Sequence, residues 1–310
     1  MRPHSSSDLL VRFWGVRGSI PSPLPTHMRY GGNTSCVEVR FGEQLLILDA
    51  GSGIRLLGQD LMDRASGKGL EGTLFLSHAH WDHIQGLPFF MPGYSERNRF
   101  TVLSGPGKGA VLDQALRNQM SAPHFPVGFE QLHAFGPIAE LQAGTNRVGD
   151  LKVQTTELNH PGGCTGFRIE TNRASLGYLP DHEPWPANTR DAHTNLVQFL
   201  RGLDLLILDG QYTAEEYPHK IGWGHGCLPN TVEVAIEAGV GRLVLFHHDP
   251  SRTDVQIDGM LAEARGLAAG SNTTIIAASE NEPLVIMAKD NGRASATVAR
   301  AGSSLRSTVR

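Results

Sequence analysis

Four residues of types that commonly bind metal ions occur within six positions of the sequence. They are His78, His80, Asp82 and His83, and they follow shortly after the apolar run Thr73–Leu76. In an extended segment, side chains at positions i and i+2 point the same way, so His78 and His80 can approach one ion. Asp82 and His83, where the loop turns, can reach a second ion. Imidazole and carboxylate ligands suit zinc, and also manganese or iron, so the segment predicts a metal site.

Two metal ions need more ligands than one loop holds, and the remaining candidates all lie at strand ends. His160, Asp181 and the pair His247-His248 each follow an apolar, strand-like run. Loops at strand ends are where α/β proteins commonly build their sites. The sequence therefore predicts that these residues join the first four in one centre.

The elements that position these residues are short apolar strands that alternate with Gly- and Pro-rich loops and a few helical patterns. The strands predicted before the candidate ligands are Gly72–Leu76, Leu151–Thr156, Ser175–Leu179 and Leu243–Phe246. The predicted helices are Ile54–Arg64, Gly109–Gln119, Thr189–Leu200, Pro229–Ala238 and Val255–Ala268. Many strands with helices between groups of them indicate a layered α/β architecture with two sheets inside.

Composition predicts one large domain. The chain has 310 residues, of which 40% are hydrophobic, which is ample for a single core. Without a linker or a break in composition, we assign residues 9–288 to one domain. Residues 289–310 are rich in Ser, Ala, Arg and Thr without an apolar period, and we expect them to be disordered.

Charge and apolar patterning exclude several functional classes. The net charge is −4, from 27 Lys+Arg and 31 Asp+Glu, which argues against an extended nucleic-acid-binding surface. No apolar run approaches the ~20 residues that span a bilayer, so we expect no membrane association. The three cysteines, Cys36, Cys164 and Cys227, are too far apart for a metal knuckle, and no signal peptide is evident. We therefore expect a cytoplasmic protein.

The segment His-Ala-His-Trp-Asp-His, followed by a lone His, a lone Asp and a last His, resembles the signature of the metallo-β-lactamase superfamily. The resemblance runs from about Val11 to Ala288 and implies a four-layer αββα sandwich with two divalent metal ions, preferably Zn²⁺. It implies that one ion binds His78, His80 and His160, that the other binds Asp82, His83 and His247, and that Asp181 bridges them. His247 is preferred to His248 because the ligands of this superfamily directly follow the strand. His182 is interpreted as a support for the ligands or a wall of the pocket.

Other motifs resemble the phosphodiesterase branch of that superfamily, which includes ribonuclease Z enzymes and cyclic-phosphate hydrolases. They are the Gly/Pro-rich segment from Gly15 to Ser35, the string Leu208-Asp209-Gly210-Gln211 and the string Gly224-His225-Gly226-Cys227. The resemblance implies that Asp82, Asp209 and His225 are catalytic, with Asp209 orienting His225 as a general acid.

The sequence departs from ribonuclease Z enzymes in three respects. Those enzymes commonly have His-Glu-Ala-Thr at 208–211 and Ser-Thr at 226–227, and they carry a Lys-rich arm that grips tRNA. We therefore expect a small cyclic phosphate or cyclic nucleotide as substrate. The alternatives are tRNA 3′-processing, or hydrolysis of a thiolester or lactone on the same scaffold. Related phosphodiesterases are often homodimers, and by analogy this chain could be one.

Several large apolar residues lie near the predicted site, and two interpretations of them stay open. These residues are Trp81, Phe89, Phe90, Met91 and Trp223. They could stack a nucleobase or line the pocket mouth. They could instead be packing residues, which is the more frequent case. The segment Pro88–Tyr94 could form a lid or a dimer contact. Cys164 and Cys227 are interpreted as packed thiols rather than ligands.

Overall fold

A computed structural model describes residues 9–186, 189–280, 283–286 and the backbone of 297–298. The strands of the first sheet are β1 (Leu9–Gly15), β2 (Cys36–Phe41), β3 (Gln44–Leu48), β4 (Glu71–Leu76), β5 (Arg99–Ser104), β6 (Ala139–Glu140), β14 (Leu284–Ile286) and β15 (Thr297–Val298). The strands of the second sheet are β7 (Thr145–Val148), β8 (Leu151–Leu158), β9 (Cys164–Glu170), β10 (Ser175–Leu179), β11 (Leu205–Asp209), β12 (Arg242–Phe246) and β13 (Thr274–Ala277). The helices are α1 (Ile54–Ala65), α2 (Trp81–Ile84), α3 (Gly109–Gln119), α4 (Arg190–Leu200), α5 (Leu228–Glu237) and α6 (Asp254–Leu267).

The core lies between the two sheets, because alternate side chains of each strand face opposite sides. Phe75 of the first sheet packs edge-on against Phe167 of the second, with ring centroids 5.4 Å apart. In β11, Ile207 faces this inner core, whereas Leu206 faces the helices outside the sheet. Strands buried on both faces therefore read as continuous apolar runs.

Helices cover the outer face of each sheet. Helices α1 and α3 pack on the first sheet, and α4, α5 and α6 pack on the second. The layers are therefore helix, sheet, sheet and helix, and the α/β fold predicted from the sequence is confirmed.

Parallel pairing brings the candidate residues to one side of the sandwich. In the first sheet, β3 is parallel to β4, and in the second, β10, β11, β12 and β13 are parallel neighbours. The carboxyl ends of parallel strands lie at one edge of a sheet, where open α/β sheets build their sites. His78, Asp181, Asp209 and His247 all lie at or just beyond such ends.

Helices and core strands agree with the sequence prediction to within a few residues, and the differences are local. Asp82 and His83 lie on the short helix α2, where the sequence predicted a loop. Strands β6, β7 and β15 carry no apolar run from which a strand could be predicted. Of the tail 289–310, all but Thr297 and Val298 lie outside the described residues, so its disorder stays a prediction, as does the single domain. Among the described residues, no helix is long and apolar enough to cross a membrane.

Candidate metal centre and active site

The first cluster consists of His78, His80, His160 and Asp181. One potential ligand atom from each residue lies within 4.8 Å of those of the others. Asp181 Oδ2 is 3.7 Å from His78 Nε2 and 3.6 Å from His160 Nε2, and His160 Nε2 is 2.9 Å from His80 Nδ1. Only His80 in this group is exposed, so the cluster opens to solvent on the His80 side.

The second cluster consists of Asp82, His83, Asp181 and His247, and all four are buried. His83 Nε2 lies 3.0 Å from Asp181 Oδ1 and 3.3 Å from Asp82 Oδ2. His247 Nε2 lies 3.1 Å from Asp82 Oδ2 and 3.3 Å from His83 Nε2. Asp181 therefore belongs to both clusters, one carboxylate oxygen facing each.

The Nδ1 atom of each buried histidine is fixed by a polar group behind it. The pairs are His78 with Ser77 Oγ at 3.0 Å, His83 with Asp49 Oδ2 at 2.8 Å, His160 with the Gly224 carbonyl at 2.8 Å, and His247 with Gln211 Oε1 at 3.1 Å. When Nδ1 donates to these acceptors, each Nε2 keeps its lone pair and faces the cluster. Such partners fix the tautomer that a metal ion requires.

The donor set fits divalent cations. Two buried atoms that face the clusters, His78 Nε2 and Asp181 Oδ1, accept no hydrogen bond from the described residues when His83 is neutral and its Nδ1 donates to Asp49, because His83 Nε2 then carries no proton. A buried polar atom without a partner costs about 1–3 kcal/mol, which a bound ion would offset. Imidazole nitrogens also approach each other at 2.9 and 3.3 Å, an arrangement that needs a proton or a cation between them.

The electrostatics of the clusters favour the protonation states of metal ligands at His78, His160 and Asp181. Burial lowers the pKa of His78 well below its usual value, and burial also lowers the pKa of His160. Although burial opposes it, the neighbouring imidazoles of His247, His83 and His78 hold the pKa of Asp181 well below its usual range. Although burial opposes it, Asp181, Asp82 and Asp49 raise the pKa of His83 well above its usual value, so a metal ion bound at His83 would displace a proton.

A histidine and an aspartate complete the site. They are His225 and Asp209, and they lie outside the two clusters. His225 Nδ1 lies 2.9 Å from Asp209 Oδ2, and the His225 ring stacks on His247 with centroids 4.8 Å apart. Asp209 is fully buried, and the amides of His182 and Gln211 also donate to it. Although burial opposes it, Asp209 and the more distant carboxylates raise the pKa of His225 to about 9.

With Nδ1 engaged by the carboxylate, His225 Nε2 is the ring nitrogen that remains for a substrate. Asp181 Oδ2 lies 3.8 Å from His225 Nδ1, so the pair stands directly beside the clusters. A histidine held by a carboxylate next to a cation site can donate a proton to a leaving oxygen.

Comparison with known proteins identifies the family of this centre. Residues 45–248 match the family model described as the Beta-lactamase superfamily domain. The chain belongs to the beta-lactamase superfamily.

Relatives and solved structures point to the same superfamily. The Ribonuclease Z of Thermoplasma acidophilum is 24% identical over 304 residues, which cover 84% of this chain and 92% of that protein. Unliganded yeast PDE1 superposes with a TM-score of 0.67 at 13% identity, over 89% of this chain and 99% of that one. The metallo-beta-lactamase fold protein YhfI from Bacillus subtilis gives 0.64 at 17% identity, over 88% and 97%. The predicted superfamily and phosphodiesterase branch are confirmed, and with them a metal-dependent hydrolase.

The structure separates the two histidines between which the sequence left a choice. His247, in a left-handed backbone conformation with φ of 59°, points into the second cluster of this superfamily member. The next residue, His248, points away: its Nε2 lies 3.1 Å from the Ala278 carbonyl, and burial lowers its pKa to about 3.

His182 is in neither metal-capable cluster. Its Nδ1 accepts a hydrogen bond from the Asn159 amide, and burial lowers its pKa to about 4. Its own amide donates to Asp209, which is not among the proposed ligands, so the support for the ligands predicted for His182 stays a prediction. Cys164 and Cys227 are buried free thiols, and neither belongs to a metal-capable group of the described residues.

Two residues that orient the site were missed by the sequence analysis. The fully buried Asp49 carboxylate accepts hydrogen bonds from the Ser77 amide, the Ser77 hydroxyl and the Tyr178 hydroxyl, each at 2.7 Å, and it also contacts His83. Gln211 orients His247. Asp49 directly follows the apolar strand β3, so the strand-end rule that singled out Asp181 could have found it. Gln211 carries no comparable signal.

The N-terminal Gly/Pro-rich loop lies against the second cluster. The Ser19 amide donates to Asp82 Oδ2 at 2.7 Å, and a Cβ at Gly18 would come within 2.4 Å of the His247 ring. Glycine is therefore required at position 18 for the loop to reach the site.

Proposed function

We propose that this protein is a metal-dependent phosphodiesterase in which His225, held by Asp209, protonates the leaving oxygen. The observation that carries the proposal is the 2.9 Å contact between these two side chains, beside the Asp181 carboxylate that both clusters share. Hydrolysis of a phosphodiester releases an alkoxide, which needs a proton or a positive charge. General acid catalysis of this kind typically contributes about 10²- to 10⁴-fold in rate.

The proposed ligands divide as the clusters do. His78, His80 and His160 would hold one ion and Asp82, His83 and His247 would hold the other, with the Asp181 carboxylate available to both; Zn²⁺ is the proposed metal. Bound there, two such cations would polarise a phosphoryl group as Lewis acids and would lower the pKa of a bound water. Asp82 would contribute to catalysis as a metal ligand. The Ser19 amide fixes the orientation of its carboxylate.

The proposed substrate is a small cyclic phosphate or cyclic nucleotide. The net charge of −4 supports a small substrate rather than a long anionic polymer. The residues at 208–211 and 226–227 differ from those common in ribonuclease Z enzymes, and this also supports a different substrate.

The second candidate is a ribonuclease Z-like endonuclease that processes tRNA 3′ ends. It is favoured by the relatives named Ribonuclease Z, whose similarity extends over most of both chains. A precursor tRNA with a 3′ trailer tests it directly.

The decisive experiment compares metal-loaded wild type with His225→Ala, Asp209→Asn and the double variant. The substrates are bis-p-nitrophenyl phosphate, 3′,5′-cyclic AMP and GMP, and a precursor tRNA. We expect each single variant to keep its metal and to lose about 10²- to 10⁴-fold in kcat. The double variant should lose little more than the worse single variant, since residues that act as a unit are not additive.

The control is His219→Ala, which removes an exposed histidine near the same loop and should change nothing. Unchanged kcat in His225→Ala at full metal content would refute the role of His225. Cleavage of the precursor tRNA without cleavage of the cyclic nucleotides would replace the first candidate by the second. If no phosphodiester is cleaved, the thiolester or lactone alternative takes its place.

A further inference from the structure

Two tryptophans near the candidate active site keep most of their surface in water. Trp81 is 76% exposed and Trp223 is 58% exposed. Trp14 is buried by comparison, and Trp185 is half-buried. A large exposed aromatic ring has an apolar face available to a ligand.

Both tryptophans are next in the chain to residues that lie at the first cluster. Trp81 directly follows His80, the exposed member of that cluster. Trp223 directly precedes Gly224, whose carbonyl lies 2.8 Å from His160 Nδ1, while His160 Nε2 lies 2.9 Å from His80 Nδ1. His80 and the Gly224 carbonyl both contact the His160 ring. Each tryptophan is therefore the chain neighbour of a residue that contacts His160.

The backbone that carries Trp223 is fixed by buried hydrogen bonds. The amides of its two neighbours, Gly222 and Gly224, both donate to the buried carboxylate of Glu183, at 2.8 Å each for the shorter contacts. The Lys220 ammonium lies 3.9 Å from the centroid of the Trp223 ring. The segment thus presents an aromatic ring and a positive charge together, in a held position.

The backbone of Trp81 is also fixed, because Trp81 is the first residue of α2. The next two residues of that helix, Asp82 and His83, are buried members of the second cluster. The position of its backbone is therefore tied to the metal centre itself. A fixed backbone leaves only the side-chain torsions to be ordered when the ring binds a flat partner.

We propose that Trp81 and Trp223 form an aromatic subsite that stacks a nucleobase of the substrate. The inference rests on the proposed phosphodiesterase function and narrows its substrate class to nucleotidyl diesters. Lys220 lies over one face of the Trp223 ring, so the base would stack on the other face. Stacking a base on an aromatic side chain changes affinity by about 5- to 150-fold, and it tolerates any base because each has a π face.

Binding tests the subsite independently of catalysis. Calorimetry compares adenosine 5′-monophosphate with ribose 5-phosphate on the metal-loaded protein, as wild type, Trp81→Ala, Trp223→Ala and Trp223→Phe. We expect wild type to prefer the nucleotide by tenfold or more. Each alanine variant should lose on the order of fivefold or more of that preference, and the phenylalanine variant should keep most of it.

The matched control is Val255→Ala, an apolar side chain on α6 that is 75% exposed and outside the site. It should leave the preference unchanged. Metal content and circular dichroism establish that each variant is folded. Equal affinity of wild type for the two ligands, or a preference that survives both alanine substitutions, overturns the proposal.

Kinetics with a shared leaving group separates this inference from the proposed function. Thymidine 5′-p-nitrophenyl phosphate and methyl p-nitrophenyl phosphate differ by the nucleoside alone. The ratio of their kcat/KM values should fall in both alanine variants, mainly through KM. If wild type cleaves both esters and the ratio does not change, the subsite is wrong and the function stands. If wild type cleaves neither ester, nor any of the phosphodiesters of the decisive experiment, while the binding preference depends on the tryptophans, the function is wrong and the subsite stands.

Discussion

The Asp49 carboxylate shows how much of this site depends on residues that would touch no ion. It accepts hydrogen bonds from Ser77 and Tyr178 and contacts His83, and Ser77 in turn contacts His78. One buried carboxylate therefore orients a histidine of each cluster. At the scale of single residues, the metal centre is set by this second set of contacts as much as by its ligands.

We predict that Asp49→Asn lowers zinc affinity by about 10- to 100-fold. The amide replaces a carboxylate that accepts hydrogen bonds from several donors, so at least one buried donor loses its partner and His83 loses its orientation. Competition with a chromophoric chelator measures the affinity. The matched control is Asp113→Asn on α3, which breaks only an exposed pair with Arg117. Equal zinc affinity of Asp49→Asn and wild type would contradict this role.

At the scale of elements, the loop after β1 is fixed to the loop after β12 by one buried arginine. Arg17 is fully buried and donates to the backbone carbonyls of four residues, His27, Gly31, Asp249 and Arg252. Asp254 lies 3.8 Å from its guanidinium. The β1 loop carries the Ser19 amide and the β12 loop carries His247, so this anchor holds two sides of the second cluster together.

We predict that Arg17→Lys lowers the free energy of unfolding by about 2–4 kcal/mol, because an ammonium cannot reproduce the planar fork of donors. Arg117→Lys, in an exposed pair, should change it by less than about 0.5 kcal/mol. Urea denaturation measures both, and similar values for the two variants would show that the buried contacts do not stabilise the fold.

The length of each helix or strand decides whether it could be predicted from the sequence. Helices such as α3 and strands such as β12 have an apolar period or an apolar run long enough to be recognised. The strands β6 and β15, of two residues each, and the four-residue helix α2 are too short to carry any period. Their formation depends on neighbours that lie far away in the chain. The strand-end rule brought Asp181 and His247 into the site, but the contact of Asp49 with Tyr178 joins residues 129 positions apart and has no local signal.

At the scale of the whole molecule, the two clusters take their residues from both sheets. His78 and His83 follow β4 of the first sheet, whereas Asp181 and His247 follow β10 and β12 of the second. Bound ions would therefore link the two halves of the sandwich. An ion that binds only the folded state stabilises it by about 4 kcal/mol when its free concentration is a thousandfold above Kd.

We predict that a chelator lowers the Tm of the zinc-loaded protein by on the order of 10 °C, and that added zinc restores it. Without the ions, the unpartnered atoms of His78 and Asp181 remain buried, which adds to the loss. Differential scanning calorimetry measures the shift. In Asp181→Asn, which removes the carboxylate common to both clusters, the chelator should change Tm far less. A wild-type Tm that is indifferent to the chelator, with zinc loss verified by elemental analysis, would mean that the ions do not join the sheets. The two sheets would then be held together by the apolar core alone.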